Sequence, residues 1–382
     1  GKIVCMNSPY REHVQSMIKM LFEQRDLDGI LMDMAFLEEK ICYCPSCQRL
    51  YRSMHNCNLP ETEDYDDENF RRYVRFRRQY NHTFVKELID GIKKINPEAL
   101  CYMQYLPLKM EGRNSQSFAM AGLGDYTYSD IYFEFGTVQA SILTKFVSQL
   151  TKYRPEVGLM TRPGTHNDTP NMKPLDQLRS EAFTIIANGG ALHLFDIMWP
   201  DGTLHKAMWE RNAQIFDEVK ERQPWLGGRS VAQVAVLFSE DNLLWYGRED
   251  FLNNVQANIY GMSRALLDSA IPFDIITGLD DGVLSRYDVL VLPNVACLSD
   301  AQVDTIQDFV RRGGGLVCTN QTSLFDENGM PRGNIALGEV LGVQYADTDT
   351  SAYSRVYAKY DVGQTIGKGL PEGGMMTSWG TS

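Results

Sequence analysis

The sequence predicts an α/β protein in two parts: a (β/α)₈-type barrel lacking its first strands, followed by a flavodoxin-like doubly wound α/β domain. Three observations carry this expectation. Short apolar stretches alternate with amphipathic helical patterns from the first residues to about position 228, which implies parallel βα units. A turn-rich segment, Gln223–Arg229, interrupts the alternation and reads as a boundary. A second strand–helix alternation then runs from Val231 to Thr319. We therefore expect one unit over 1–228 and another over 229–382.

In chain order, the first unit offers candidate strands at Lys2–Cys5, Gly29–Asp33, Ala99–Tyr105, Ser129–Phe135, Val157–Thr161 and Gly190–Asp196. Helical patterns lie between them at Tyr10–Arg25, Glu68–Ile95, Val138–Tyr153 and Leu175–Asn188, and a further helix spans 206–223. Six strands fall two short of a closed eight-stranded barrel, and an unclosed barrel leaves two exposed edges. With Gly1 rather than Met at the start, the expectation is that the first strands lie upstream. The second unit offers strands Val231–Phe238, Phe273–Ile276, Tyr287–Leu292 and Leu316–Thr319, with helices Phe251–Ser269 and Ser299–Arg312.

Composition excludes several classes. The 382 residues are 43% hydrophobic and 23% charged, with a net charge of −12, so a core forms without staples and no nucleic-acid footprint is expected. The basic run Arg71, Arg72, Arg75, Arg77 and Arg78 follows the acidic stretch Glu61–Glu68, and reads as a helix with its own counter-charge. No apolar run reaches the roughly 18 residues of a membrane span, and the first residues of this sequence do not have the charged-then-apolar pattern of a signal peptide. We expect a cytoplasmic protein with no membrane partner.

Three groups of residues can carry chemistry. Cys42-Tyr-Cys44-Pro-Ser-Cys47 has the spacing of a thiolate knot that wraps a tetrahedral, structural Zn²⁺ and needs one further ligand. Cys5, Cys57 and His55 are the candidates. Asp33 closes a candidate strand at the end where barrel active sites lie. Glu134 ends another, with Asp130 read as facing that strand's start and Glu111 as the alternative acid. Asp33 and Glu134 would then form a carboxylate pair of the kind that performs retaining glycoside hydrolysis. Around them Tyr105, Arg162, His166, His193, Asp196 and Trp199 suit a sugar, with aromatic faces for the ring and polar groups for its hydroxyls. Cys297, in the second unit, lacks the flanking glycines of a nucleophile elbow, and that unit reads as non-catalytic.

The ordered segments Cys5–Arg11, Asp28–Asp33 and Cys42–Cys47 resemble the barrel of glycoside hydrolase family 42. That resemblance implies structural zinc and nominates Cys5 as the fourth ligand. Val231–Val343 resembles the β-galactosidase trimerisation domain of the same enzymes, which implies a homo-oligomer, a trimer or a dimer, and a carbohydrate substrate. The acidic pattern departs from family 42, which has an Asn-Glu pair where this chain has Met32-Asp33-Met34, and a glutamate where it has Met160-Thr161-Arg162. An Asp closing that strand is instead similar to the α-L-fucosidases of families 29 and 151. The combination with the trimerisation domain is similar to bacterial "hypothetical glycosyl hydrolase 6" barrels. What the resemblance implies is an α-L-fucosidase-like exo-glycosidase with Asp33 as nucleophile, Glu134 as acid/base and no catalytic cofactor; a β-galactosidase or a non-catalytic sugar-binding scaffold are the alternatives.

Overall fold

A computed structural model of the protein describes residues 4–37, 40–106, 115–131, 136–163 and 171–346, together with 355–359, 363–364, 368 and 375–379. The first unit is a parallel sheet of five strands in the order β1 (Gly29–Met32), β2 (Leu100–Gln104), β3 (Tyr126–Ile131), β4 (Glu156–Met160), β5 (Ala191–Phe195). Sequential order with parallel pairing throughout is the signature of a barrel wall, and β1 and β5 are its edges. The helices are α1 (Tyr10–Gln24), α2 (Pro45–His55), α3 (Glu68–Ile95), a single turn α4 (Phe118–Ala121), α5 (Gly136–Val147), α6 (Leu175–Ala187) and α7 (Lys206–Arg222).

Two expectations are corrected. Val4 and Cys5 form no strand; the Cys5 carbonyl instead accepts from Ser8 N (3.0 Å) in a turn that leads into α1. Residues 1–3 lie outside the described residues. Strand β3 begins three residues earlier than expected. Gly124 sets that start, because a Cβ there would stand 2.5 Å from the Cys101 carbonyl oxygen. Asp130 therefore sits near the end of β3, not at its start.

The second unit is a four-stranded parallel sheet of β6 (Val234–Leu237), β7 (Phe273–Ile276), β8 (Val289–Leu292) and β9 (Gly315–Cys318), ordered β7-β6-β8-β9. That order reverses direction at β6, as flavodoxin-like sheets do. Its principal helices are α8 (Ala257–Asp268) and α10 (Asp300–Arg311), with the single turn α9 (Asp281–Leu284) between. Ser299 caps α10 in a reciprocal arrangement with Gln302. Wide π-turns at Asn242–Tyr246 and Leu252–Gln256 lead into α8. An antiparallel pair, β10 (Arg355–Lys359) and β11 (Met375–Trp379), follows in a stretch the sequence offered only as polar and glycine-rich.

A single apolar core joins the two sheets. Phe118 and Phe146 of the first unit meet Phe238 of the second at ring distances of 5.3 and 4.8 Å. The arginine run on α3 completes this seam. Arg72 pairs with Glu68 within its own helix (3.7 Å), as the acidic counterweight implied. Arg71 and Arg75 instead stand over the Trp245 ring, at 5.5 and 4.8 Å, and Arg78 pairs with Glu240. Glu240 also accepts from the Phe118 amide (2.8 Å).

Next to this pair, burial and then the neighbouring Glu240 and Glu327 push the Asp241 carboxyl up to about 6, against the pull of Arg78 and Arg75. An unfolded aspartate titrates near 3.9, so the folded chain holds the proton more tightly. Stability attributable to this group falls as pH rises from about 4 to about 6 and stays reduced above that. Asp241→Asn should therefore stabilise the protein by about 1–3 kcal/mol at pH 7 and by nothing measurable below pH ~4. Urea midpoints at the two pH values check this, and an equal gain at both would contradict it.

Candidate functional site

Alternation along the strands decides which side chains enter the barrel interior. Register pairs Leu31 with Tyr102 and Met32 with Met103, so odd positions at the end of β1 and even positions on β2 share the inner face. Asp33 follows β1 on this face and is exposed at the strand's C-terminal end. Met34, next to it, has φ of +52°, a left-handed conformation that a non-glycine residue adopts at a cost. Two acceptors hold that turn: the Met34 amide donates to Asp33 Oδ1 (3.0 Å) and to Gln104 Oε1 (3.2 Å). Gln104 Nε2 in turn donates to Asp130 Oδ2 (2.7 Å), both groups being buried.

The Asp33 turn is thus fixed through Gln104 to a second carboxylate on β3. Sequence reading missed Gln104 and set Asp130 aside. The available signal was parity, since Gln104 lies two residues beyond Tyr102 on the same face.

At the ends of β4 and β5, Arg162 and Asp196 form a two-pronged ion pair. Nε donates to Oδ1 and Nη2 to Oδ2, the latter at 3.1 Å, and both side chains are buried. The guanidinium lies 5.7 Å from the half-buried Trp199 ring. Nη1 has no protein acceptor among the described residues. Of the expected sugar-contacting groups, these three are brought together. His193 lies lower on the inner face, mid-strand, where its Nδ1 contacts Glu156 and its ring tilts against Tyr128 at 5.5 Å.

Tyr105 requires correction. It points outward, packs against Phe146 at 6.3 Å and donates its hydroxyl to the Ser117 carbonyl (3.1 Å). It is fully buried, because odd positions on β2 face the helices. Glu134, Glu111 and His166 lie outside the described residues.

The thiol knot assembles at the start of α2, whose first turn carries Cys47 while Cys44 caps it. Ligand atoms of Cys5, Cys42, Cys44 and Cys47 all lie within 4.8 Å of one another. A tetrahedron of thiolates at Zn–S distances near 2.3 Å needs sulfur separations of about 3.8 Å, so the cluster is able to hold a metal ion. Amide groups already point at the sulfurs: Asn7 N to Cys5, Asn7 Nδ2 to Cys47 and Cys47 N to Cys44, each 3.4 Å. Such bonds orient the ligands of a metal centre.

Cys5 and Cys47 share a hydrogen bond at 3.3 Å. It draws the Cys5 thiol down to about 5 and pushes the Cys47 thiol well up. The other two candidates are elsewhere. Cys57 donates to Asn69 Oδ1 (3.4 Å), beyond the end of α2, and His55 packs on Tyr51 at 4.6 Å.

The first unit is thus a partial (β/α)-barrel wall, joined to a second α/β unit. Comparison with known proteins gives the same class. Residues 232–365 match the family model described as a β-galactosidase trimerisation domain. The chain is 24% identical over 307 residues to the β-galactosidase LacZ of Lactobacillus acidophilus, a match covering 72% of this chain and 45% of that protein. The match thus spans less than half the length of the curated relatives, 45% of one and 31% of another.

Among solved structures, the β-galactosidase of Bacillus circulans superposes with a TM-score of 0.76 at 18% identity, over 92% of this chain and 61% of that one. The α-L-fucosidase isoenzyme 2 of Paenibacillus thiaminolyticus gives 0.70 at 19% identity, over 99% and 53%. The resemblance to family-42-type glycoside hydrolases therefore holds for the fold, and the trimerisation-domain match for the second unit.

Proposed function

We propose that the chain is part of a retaining glycoside hydrolase acting on a terminal sugar, with Asp33 as nucleophile. The observation that carries this reading is the exposed Asp33 carboxylate, on the inner face at a strand's C-terminal end, in a strained turn anchored through Gln104. In the reaction, an Asp33 oxygen bonds to the anomeric carbon as the glycosidic C–O bond breaks. Glu134 gives its proton to the departing oxygen. Water, deprotonated by the same Glu134, then cleaves the glycosyl ester and restores Asp33. Arg162 Nη1, buried and without a protein acceptor among the described residues, supports a role for the Arg162–Asp196 pair in binding a sugar hydroxyl beside Trp199.

An aspartate nucleophile at this strand favours α-L-fucoside as the substrate. A β-galactoside is the second reading, favoured by the β-galactosidases among the relatives and by the trimerisation-domain match. A panel of p-nitrophenyl glycosides, assayed with the natural full-length protein, decides between them. Release from the α-L-fucoside alone supports the first reading, and release from the β-D-galactoside alone replaces it with the second. Oligosaccharide binding without any hydrolysis would overturn both in favour of a sugar-binding scaffold.

The four thiols suit zinc, with all positions filled by protein and none left for catalysis. The purified protein should carry stoichiometric zinc by atomic emission. Cys44→Ser should lose it and melt several degrees lower, at about 2–3 kcal/mol of lost stability, while kcat falls much less than stability does. Full zinc content in the variant would count against this ligand set.

A further inference from the structure

At the opposite end of the barrel wall from Asp33, a cavity of about 600 Å³ opens between the two units. Its walls are the C-terminal ends of α5 and α6, the connecting segment Trp225–Ser230, and Asp274 and Arg286 of the second unit. Nothing in the reaction proposed above uses it.

Its charge runs against that of the chain. In a protein of net charge −12, the cavity is lined by Lys145, Arg229 and Arg286 against a single carboxylate, Asp274. That carboxylate is already engaged, by Ser230 Oγ at 2.8 Å and the Tyr287 hydroxyl at 3.0 Å, with Arg286 more distant at 3.9 Å. Lys145 lies over the Phe273 ring at 4.9 Å. Among the described residues, neither Lys145 nor Arg229 is in an ion pair. A fourth cation stands at the rim, since Arg154 Nη2 lies 3.1 Å from where a Cβ on Gly227 would be. Gly227 has φ of +90°, so a side chain is doubly disfavoured at this approach.

The second observation is Trp225. Its side chain is 79% exposed, the most exposed tryptophan among the described residues. The indole lines the mouth of the cavity and takes no part in the core. Beside a cationic recess it offers a flat apolar face for the C–H face of a pyranose, while the cations take a charged substituent. The recess is partly desolvated around Lys145, which strengthens its attraction for an anion.

We propose that this cavity is an accessory binding site for an anionic sugar, a pyranose bearing a carboxylate, sulfate or phosphate group. The site does not depend on the hydrolytic reading, because it shares no residue with the Asp33 face.

Isothermal titration of the natural full-length protein at low ionic strength tests this, with glucose 6-phosphate, glucuronic acid, glucose and inorganic phosphate as probes. The expected result is that at least one anionic sugar binds about tenfold or more tightly than both glucose and phosphate. Binding should weaken about tenfold in Arg229→Ala and again in Trp225→Ala, and persist in Asp33→Asn. Both substituted cavity residues are exposed, so the fold should survive, as unchanged melting will confirm. Equal binding of phosphate reduces the cavity to an ion site and overturns the proposal. So does equal binding of glucose, unchanged affinity in both cavity variants, or no heat with any probe. Loss of binding in Asp33→Asn would move the sugar to the active face and overturn it too.

Discussion

Asp33→Asn is expected to lower kcat by about 10³-fold or more while leaving KM within a few-fold. The amide keeps the shape of the carboxyl, and its oxygen can still accept from the Met34 amide while Gln104 accepts as before, so the fold and the bound sugar are little disturbed. What it lacks is the negative oxygen that bonds to the anomeric carbon, an interaction present only from the transition state onward. In Asp33→Gly, which vacates the carboxylate's space instead of filling it with an amide, added azide or formate should restore turnover in part. Turnover unaffected by the substitution would remove Asp33 from the chemistry, whichever glycoside is cleaved. Gln104→Ala should have a milder effect, raising KM and lowering kcat together as the strained turn relaxes.

Asp196→Ala is expected to destabilise the protein by about 3–5 kcal/mol, since it strands a buried guanidinium without its counter-charge. The side chain of Arg162 is 0% exposed and that of Asp196 4%, so solvent screens the pair weakly. A fall in urea midpoint with an unchanged slope would show the loss as stability rather than as a change in the unfolded chain. The double variant Arg162→Met, Asp196→Leu removes both charges and should recover most of the loss. If the single variant melted within a degree of the parent, water would have to reach Arg162 freely, contrary to its burial.

Much of the fold was legible from periodicity. α3 and β7 were read to the residue, and the strands β1, β2, β4 and β5 were read to within one residue at each end. These elements are long and amphipathic, or short and predominantly apolar, and no tertiary contact overrides them. β3 was misplaced because its start depends on the close approach of Gly124 to Cys101, a contact made by a residue from another strand.

The site was legible where chemistry is local. Three cysteines within six positions declare a metal knot, yet the choice among Cys5, Cys57 and His55 depends on how a distant turn returns to α2. The Asp33 position followed from strand-end logic, whereas Gln104 is an ordinary glutamine until register aligns it with Met34 and Asp130. The arginines of α3 illustrate the opposite failure. Their charge pattern is fully explained by a solvated helix, and only the second unit reveals that Arg71, Arg75 and Arg78 clamp it.

The core shared by the two sheets has a consequence for biosynthesis. The first sheet leaves the ribosome with the faces of Phe118 and Phe146 that meet the second unit uncovered, and they stay so until Phe238 has been translated. Throughout that interval the nascent chain presents an aromatic patch that can join another nascent chain as readily as its own second half. Slow translation across Gln223–Arg229 would lengthen this exposure, and a chaperone that masks the patch would shorten its effect. For this chain, the order in which residues arrive decides how long that patch stays open.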